Sequence, residues 1–296
     1  MKTQAQPPSV RLGWALEFAA HHVLRLLPVG VVSALGALMG RAAALTKPAA
    51  AQRVRDNLRR LRPDVTDPRE IDAMARRFWE NAGRCLAEFA ALGRIWGSNR
   101  VTIEGLDDLL AARATGKARI CIFVHLGNWE VLGPTLVDLG ETDGMQIFQP
   151  PLNPVRRRLA ENVRRPYEKW LVAAEPRTAS RIFRNLKAGG GLSIAVDEYV
   201  NGVVKAPAFG RPLSLEDNLA RAARLAMRTD ALVFVAYVAR GRSAHFTVRI
   251  LPPVAIDFGA MTEEQLPELV GRLNAIIEPI VLEHIDQWFW LDNLKL

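Results

Sequence analysis

One pair of residues has the types and the setting for acid–base chemistry: His125 and Glu130, at the ends of the segment His-Leu-Gly-Asn-Trp-Glu. A neutral imidazole can remove a proton from a hydroxyl while a carboxylate holds its other ring nitrogen. On a regular helix, side chains five residues apart point about 140° away from each other around the axis, so this pair cannot meet there. The spacing therefore requires a corner in the chain, and Gly127 supplies the permissive backbone for one.

The residues around the pair predict such a corner. Residues 119–124 form a run that is apolar after Arg119 and typical of a buried strand, and Asn128 is a suitable N-cap for a helix over residues 128–139. His125 then follows the carboxyl end of a strand, the edge at which ligands bind in open α/β sheets. Amides at the start of the helix could stabilise an oxyanion. The pattern predicts the histidine–carboxylate half of a catalytic triad, with a substrate hydroxyl as nucleophile.

A second site is expected after the strand predicted over residues 192–197. Asp197 ends this strand, and its carboxylate could contact the acceptor or support His125. For the neighbouring Glu198 we prefer a solvated turn. Trp288 and Trp290 could anchor the chain in a membrane interface, but core packing is the preferred interpretation.

The order of the segments predicts an α/β fold with a mainly parallel or mixed central sheet covered by helices. We expect a helical N-terminal region with a membrane-contacting segment over residues 1–97, packed on an α/β domain over residues 98–296. Helices are predicted at 10–27, 29–45, 50–61, 68–92, 107–115, 128–139, 154–170, 179–188 and 264–288, and from Ser214, where Asp217 would complete a capping box. Strands are predicted at 101–105, 119–124, 144–149, 192–197, 231–239 and 245–251.

Charge and hydropathy favour an acidic partner and a membrane surface. Lys plus Arg outnumber Asp plus Glu by 39 to 31, so the formal net charge is +8. This excess suits nucleic acid, an anionic lipid surface or an acidic carrier protein. The uncharged stretch 26–40 is shorter than the roughly 20 residues of a spanning helix. It predicts an interfacial helix or one buried under the main domain, and a signal peptide is not expected.

The sequence lacks the residues that several other functional classes require. No Gly-x-Ser-x-Gly segment is present, so a serine hydrolase would have no nucleophile. The triple glycine at 189–191 lacks the Lys and Ser or Thr of a phosphate loop. The five histidines have no metal-ligand spacing, so no metal or cofactor is predicted. Cys85 and Cys121 are interpreted as reduced and structural. The basic residues form no recognisable nucleic-acid-binding module.

Further motifs accompany the corner, and together they resemble the bacterial lipid A late acyltransferases of the glycerolipid acyltransferase superfamily. The resemblance runs from about Leu27 to Trp290. Besides the corner, the motifs are Asn153-Pro154, Leu186-Lys187-Ala188-Gly189 before the strand ending at Asp197, Phe209-Gly210-Arg211-Pro212 and Asp286-Gln287-Trp288-Phe289-Trp290-Leu291.

This resemblance implies an O-acyltransferase of lipid A and lipopolysaccharide biosynthesis at the cytoplasmic face of the cell inner membrane. Such an enzyme moves a fatty acyl group from acyl carrier protein or acyl-CoA to a hydroxyl of a membrane lipid, here lipid A or a related glycolipid. It implies His125 as the general base and Glu130 as its orienting partner. The residues predicted to bind substrate are Asn128, Asn153, Arg156, Asp197, Gly210 and Arg211.

Three segments depart from the family's pattern. Gln149-Pro150 stands where the family has an Arg-Pro step, Asp292-Asn293-Leu294 replaces a His-Arg-Arg segment, and residues 213–217 replace a Thr-rich segment. Each change removes polar or cationic groups that would meet phosphate or the acyl-transfer site. The alternative interpretation is therefore a catalytically inactive lipid-binding or scaffolding relative. Retention of His125 and Glu130 favours the enzyme.

Overall fold

The computed structural model describes residues 8–139 and 143–296 of the chain. The α-helices are α1 (Pro8–Leu26), α2 (Val29–Thr46), α3 (Pro48–Leu61), α4 (Pro68–Glu88), α5 (Leu92–Trp96), α6 (Leu106–Ala114), α7 (Leu132–Asp138), α8 (Pro154–Arg164), α9 (Pro176–Lys187), α10 (Asn218–Thr229) and α11 (Leu266–Glu283). The strands are β1 (Val101–Glu104), β2 (Arg119–Phe123), β3 (Gly144–Phe148), β4 (Leu171–Ala173), β5 (Gly191–Ala195), β6 (Tyr199–Val200), β7 (Val203–Val204), β8 (Leu232–Arg240) and β9 (Phe246–Ile250).

Seven of the strands form one mixed sheet in the order β1-β9-β8-β2-β5-β3-β4, which confirms the predicted α/β class. Strands β8, β2, β5, β3 and β4 run parallel to one another. Strand β9 is antiparallel to β8, and β1 pairs in parallel with β9. Strands β6 and β7 form a separate hairpin. The five parallel strands therefore end at one common edge, which we call the carboxyl edge.

The central strand β2 is buried at every residue because helices cover both faces of the sheet. Ile120 and Ile122 point into a cluster that also contains residues of α9, α10 and α11. Cys121 and Phe123 point into the opposite cluster, with residues of α6 and α7. Cys85 and Cys121 are both free and buried.

Several element boundaries differ from the prediction. The helix predicted over residues 154–170 ends at Arg164, and a 3₁₀ turn follows over Arg165–Trp170, where Pro166 lacks the N–H that would continue an α-helix. The edge strand β4 and the β6–β7 hairpin are too short to give a periodic pattern, and neither was predicted. The helix expected from Ser214 begins instead at Asn218.

The cap of this helix explains its true start. Asp217 is the N-cap of α10, and its side chain accepts a hydrogen bond from the backbone N–H of Ala220 at 3.0 Å. The predicted final helix is shorter as well, because α11 ends at Glu283 and a 3₁₀ turn over Ile285–Gln287 follows it. Likewise α4 ends at Glu88 and not near residue 92.

The N-terminal helices leave a large apolar surface exposed. Helix α2 is 18 residues long with a mean hydropathy of 1.5, enough by length and composition to cross a membrane, and 33% of it is buried. It exceeds the uncharged stretch seen in the sequence because it continues through Arg41 to Thr46. The exposed large apolar residues are Leu12, Leu16, Phe18, Val23 and Leu26 on α1, and Val31, Leu35, Leu38, Met39 and Leu45 on α2.

Helix α2 is held by a close crossing with α4. A Cβ atom added to Gly83 would lie 2.1 Å from the carbonyl oxygen of Gly36 and 2.7 Å from the nitrogen of Gly40, so only glycine fits. Residues of α3 and α4 belong to the same buried cluster as the sheet. The division of the chain near residue 97 into two regions stays a prediction.

Candidate active site

A histidine and an aspartate meet at the carboxyl edge of the sheet. His125 follows β2 and Asp197 follows β5, and these neighbouring strands are in parallel register from Arg119 opposite Gly191 to Phe123 opposite Ala195. The backbone N–H of His125 donates to Oδ2 of Asp197 at 2.7 Å, and Nδ1 of His125 lies 2.7 Å from Oδ1. The adjacent strand ends thus bring the two side chains into direct contact.

The Asp197 carboxylate is fully buried and receives a third hydrogen bond. The indole N–H of Trp288, itself fully buried, donates to Oδ2 at 2.9 Å. Hydrogen bonds to an ionised acceptor are stronger than those between neutral groups, and they offset the cost of burying the charge. Trp288 lies in the core, as predicted, but it also fixes the carboxylate that holds His125.

These contacts assign the tautomer of His125. A carboxylate only accepts hydrogen bonds, so the short contact with Asp197 places the proton on Nδ1 and leaves Nε2 as an acceptor in the neutral ring. The His125 side chain is 20% exposed, so Nε2 can be reached by a small group. Trp290 Nε1 lies 3.3 Å from Nδ1, but two N–H groups cannot bond each other, so Trp290 packs against the ring.

Two tryptophan rings pack on the imidazole, and two further aromatic rings pack on the tryptophans. The rings of Trp129 and Trp290 stand edge-on to His125, with centroids 4.8 and 5.4 Å from it. Phe289 packs on Trp129 at 4.8 Å, and Tyr199 of the β6–β7 hairpin stacks on Trp290 at 5.4 Å. The imidazole therefore lies in an apolar surround, in which hydrogen bonds and charges act more strongly than in water.

Glu130 does not hold the imidazole as the sequence analysis expected, because Asp197 occupies that position. Its two carboxylate oxygens instead accept from Arg164 of α8, Oε2 from Nε at 3.1 Å and Oε1 from Nη2. The chain forms a 3₁₀ turn over Trp129–Val131 in place of an α-helix from Asn128, and the Glu130 side chain reaches Arg164. Burial alone would lower the pKa of Arg164, but the adjacent Glu130 carboxylate reverses this effect and raises it.

A second buried carboxylate contacts the corner through Asn128. Glu88, at the end of α4, forms a two-pronged ion pair with Arg240 at the end of β8, with N–O distances of 2.7 and 2.8 Å. Asn128 is fully buried and donates to Oε2 of Glu88 at 3.0 Å. The predicted helix-capping role of Asn128 is therefore wrong, because its side chain bonds to Glu88 instead. Since this side chain is fully buried, a substrate cannot reach it.

A buried thiol also contacts Asn128, and its surroundings make it unsuited to nucleophilic chemistry. Cys85 lies 3.7 Å from Oδ1 of Asn128, and burial raises the pKa of its thiol well above the usual value. A protonated, buried thiol is a weak nucleophile. Cys85 therefore acts as a packing residue and weak hydrogen-bond donor.

The C-terminal segment completes the corner by pairing with it. The N–H of Gly127 donates to the carbonyl of Gln287 at 3.1 Å, and the N–H of Phe289 donates to the carbonyl of His125 at 2.9 Å. Gly127 has a φ of +60°, and a Cβ atom there would lie 2.3 Å from the carbonyl oxygen of Val238. Only glycine meets both constraints, so the corner requires it at this position.

A sequence model of the bacterial lipid A biosynthesis acyltransferases matches residues 2–295, nearly the whole chain. The chain belongs to this family. No curated protein matches the sequence. Membership supports acyltransferase activity in lipid A biosynthesis and implies an acyl donor and a lipid acceptor, and the family as a whole is associated with membranes. The resemblance found in the sequence is thereby confirmed.

Two predicted substrate-binding residues of the acyltransferase lie at the start of α8. Asn153 is the N-cap of this helix, and its Oδ1 accepts from the N–H groups of Val155 and Arg156 at 2.8 and 3.2 Å. The Arg156 side chain pairs with Glu17 of α1 at 2.5 Å. Both residues fix the position of α8, and their contact with substrate stays a prediction.

Two further predicted residues stabilise the loop before α10. Gly210 has a φ of +77°, which a turn with glycine accommodates without strain. The Arg211 guanidinium donates to three backbone carbonyls at 2.8–2.9 Å, those of Val204, Pro207 and Ala208. Burial lowers the pKa of Arg211. Its donors are used within the loop, so a role in substrate binding stays a prediction.

A cleft of about 500 Å³ opens at the carboxyl edge of β3 and β4. Its walls include Phe148, Pro151 and Leu171, and it extends to Arg164, the partner of Glu130. The Gln149-Pro150 step that departs from the family's pattern lines the same cleft. Its volume falls within the range of small-molecule binding sites. It is therefore a candidate site for part of a substrate.

Sequence reasoning missed several residues of the site. Arg164, Glu88 and Arg240 were not singled out, because each partner is distant in sequence and no local spacing connects them. Trp288 lies in a motif that the sequence analysis quoted, yet nothing in that motif reveals its hydrogen bond to Asp197. The structure brings His125 and Asp197 into contact, whereas Glu130 pairs with Arg164.

We predict that Glu88→Ala destabilises the protein strongly. The change leaves the Arg240 guanidinium buried without its partner, and breaking a buried pair in this way costs about 3–5 kcal/mol. Urea denaturation of both proteins measures the loss. The matched control is Asp72→Ala, which breaks the exposed Arg55–Asp72 pair and should cost less than about 1 kcal/mol. Equal losses in the two variants would contradict this account of the corner.

Proposed function

We propose that this acyltransferase moves a fatty acyl group from a thioester, acyl carrier protein or acyl-CoA, to a hydroxyl of lipid A or a related glycolipid. His125 acts as the general base. The observation that carries the proposal is the short contact between Nδ1 of His125 and Asp197, which leaves Nε2 available beside an apolar surround. The family match supplies the reaction class.

The chemistry follows from the assigned tautomer. Nε2 of His125 takes the proton of the acceptor hydroxyl as its oxygen attacks the thioester carbonyl carbon. The imidazolium that forms is stabilised by the Asp197 carboxylate, which keeps its own charge. When the tetrahedral intermediate collapses, the C–S bond breaks and the proton on Nε2 passes to the departing thiolate. An ester and a free thiol are the products, and His125 returns to its neutral form.

Glu130 is proposed to act through Arg164 and not through the imidazole. Arg164 lines the cleft and pairs with Glu130, and Trp129, the residue before Glu130, packs against His125. The pair would therefore fix the turn that carries Trp129. Glu130→Gln should reduce the rate less than loss of His125, because the amide oxygen still accepts from Arg164.

We also propose that the exposed apolar surface of α1 and α2 contacts the cytoplasmic face of the inner membrane. Leucines and a methionine are exposed on these helices, and lipid acceptors reside in that bilayer. Burying such side chains in the interface is favourable by roughly 1.5–3 kcal/mol each.

Replacing the proposed base is expected to abolish the reaction. His125→Ala should lower kcat by about 10²–10⁴-fold, since general base catalysis contributes that much. Asp197→Asn, which keeps the shape but loses the charge that holds the tautomer, should lower kcat similarly. Acyl transfer is followed by mass spectrometry of the acceptor, and circular dichroism verifies folding. His245→Ala, at an exposed histidine outside the site, is the control, and wild-type turnover in His125→Ala would refute the mechanism.

Total lipids should change when the gene is deleted or over-expressed. The proposed function predicts that one lipid species, lipid A or a relative, loses an acyl chain in the deletion strain and regains it on complementation. A strain complemented with the His125→Ala variant is the control and should remain deficient. If mass spectrometry finds no altered lipid in either strain, the scaffolding interpretation replaces the enzymatic one.

Binding to vesicles tests the proposed membrane surface. Leu38→Asp combined with Met39→Asp should weaken co-flotation with phosphatidylglycerol-containing vesicles by about tenfold or more, because two exposed apolar side chains on α2 are lost. Leu110→Asp on α6, at another exposed leucine, is the control. Unchanged flotation of the α2 variant would place the membrane contact elsewhere.

A further inference from the structure

Helix α9 presents a continuous basic face to solvent. Its inner side is formed by Ile182 and Leu186, which are buried in the cluster shared with α10 and α11. At 3.6 residues per turn, the basic side chains on the outer side fall within an arc of about 120°. These exposed residues, which we call the α9 basic face, are Arg177, Arg181, Arg184 and Lys187.

The charged groups of the α9 basic face have no carboxylate partner in the part of the chain that the structure describes. Across residues 8–139 and 143–296, none of the four forms an ion pair with a carboxylate, whereas Arg156, Arg164 and Arg224 each do. Lys187 lies 5.8 Å above the ring of Phe183, which is 37% exposed beside the basic residues. A row of unpaired cations with an exposed aromatic ring suits an acidic protein surface.

The connections of the sheet place this face away from the N-terminal apolar surface. The connection from β3 through α8 to β4 leads toward the edge of the sheet. The connection from β4 through α9 to β5 leads in the opposite direction, back past β3. Because parallel crossovers are right-handed, α8 and α9 cover opposite faces of the sheet. Helix α1 pairs with α8 through Glu17 and Arg156. The α9 basic face therefore lies opposite α1, which favours a soluble partner over the bilayer.

The same face begins at the edge that carries the candidate active site. Helix α9 starts shortly after β4 ends, and Ala174 and Glu175, between the two, line the cleft. The cleft continues to Arg164, which pairs with Glu130. The residue before Glu130 is Trp129, and its ring packs on His125. A protein seated on α9 could thus direct a flexible arm into the cleft as far as Arg164.

We propose that the α9 basic face is the docking surface for a small acidic carrier protein that delivers the acyl group as a thioester on a flexible arm. This inference rests on the proposed acyl transfer and selects the carrier protein as the donor that uses the whole surface. A coenzyme A thioester would occupy the cleft without covering α9. Exposed charges of this kind act mainly on the association rate, and salt screens them.

Charge reversal on α9 tests the proposal with two donors. Arg181→Glu combined with Arg184→Glu should lower kcat/KM for an acyl carrier protein thioester by about tenfold or more at low salt, through KM and with kcat retained. Activity with the coenzyme A thioester of the same acyl chain should stay unchanged. The matched control is Arg69→Glu combined with Arg228→Glu, two exposed arginines on other helices that should leave both donors unaffected.

Three outcomes would overturn the docking surface. The first is an equal loss with both donors, since this would show damage to the site itself. The second is a loss of the same size in the control variant, which would reflect net charge alone. The third is a loss of flotation with phosphatidylglycerol-containing vesicles while carrier-protein kinetics stay unchanged, which would make α9 a lipid contact.

Direct binding separates failure of this proposal from failure of the proposed function. Holo acyl carrier protein, labelled on its thiol, is titrated with wild-type protein and with the Arg181→Glu, Arg184→Glu variant while fluorescence anisotropy is read. Binding to wild type that weakens about tenfold in the variant supports the docking surface even if no acyl transfer is found. Equal binding, or none to either protein, overturns it even if acyl transfer is found.

Discussion

The buried carboxylate of Asp197 fixes the parts of the site relative to one another. It is inaccessible to water and receives three hydrogen bonds, from the backbone and ring of His125 and from the indole of Trp288. A buried charge is tolerated only when such donors are held in place, so the ends of β2 and β5 and the C-terminal segment are constrained together. Glu88, paired with Arg240 below the corner, imposes the same constraint from α4.

Much of the fold could be predicted because β2 and Val124 are apolar after Arg119 and His125 follows this run. The same reasoning placed Asp197 at a second strand end, and adjacent parallel strands then brought the two side chains together. The sequence could not show that these strands are neighbours, since their order depends on packing between residues far apart in the chain. It therefore could not choose between Asp197 and Glu130 as the partner of the imidazole.

The position of Glu130 shows where local spacing misleads. A His-x-x-x-x-Glu spacing suggested a pair, but the 3₁₀ turn after Asn128 takes the carboxylate to Arg164. Arg164 also bears on the departures from the family's pattern. The resemblance implies an arginine at the position of Gln149, and the cleft that Gln149 lines contains the Arg164 guanidinium, supplied from α8. The charge near the candidate site is thus present, although its source in the sequence is different.

The tautomer of His125 tests the central claim most directly. Its Nδ1 lies between an acceptor, Asp197, and a donor, Trp290, and it can satisfy only one of them. Long-range ¹H–¹⁵N correlation spectra of the histidine-labelled protein, assigned with His125→Gln, report which nitrogen carries the proton. The account predicts a protonated Nδ1 and a free Nε2 in the neutral ring. A protonated Nε2 with Nδ1 as acceptor would contradict it, because that ring could not take the acceptor's proton.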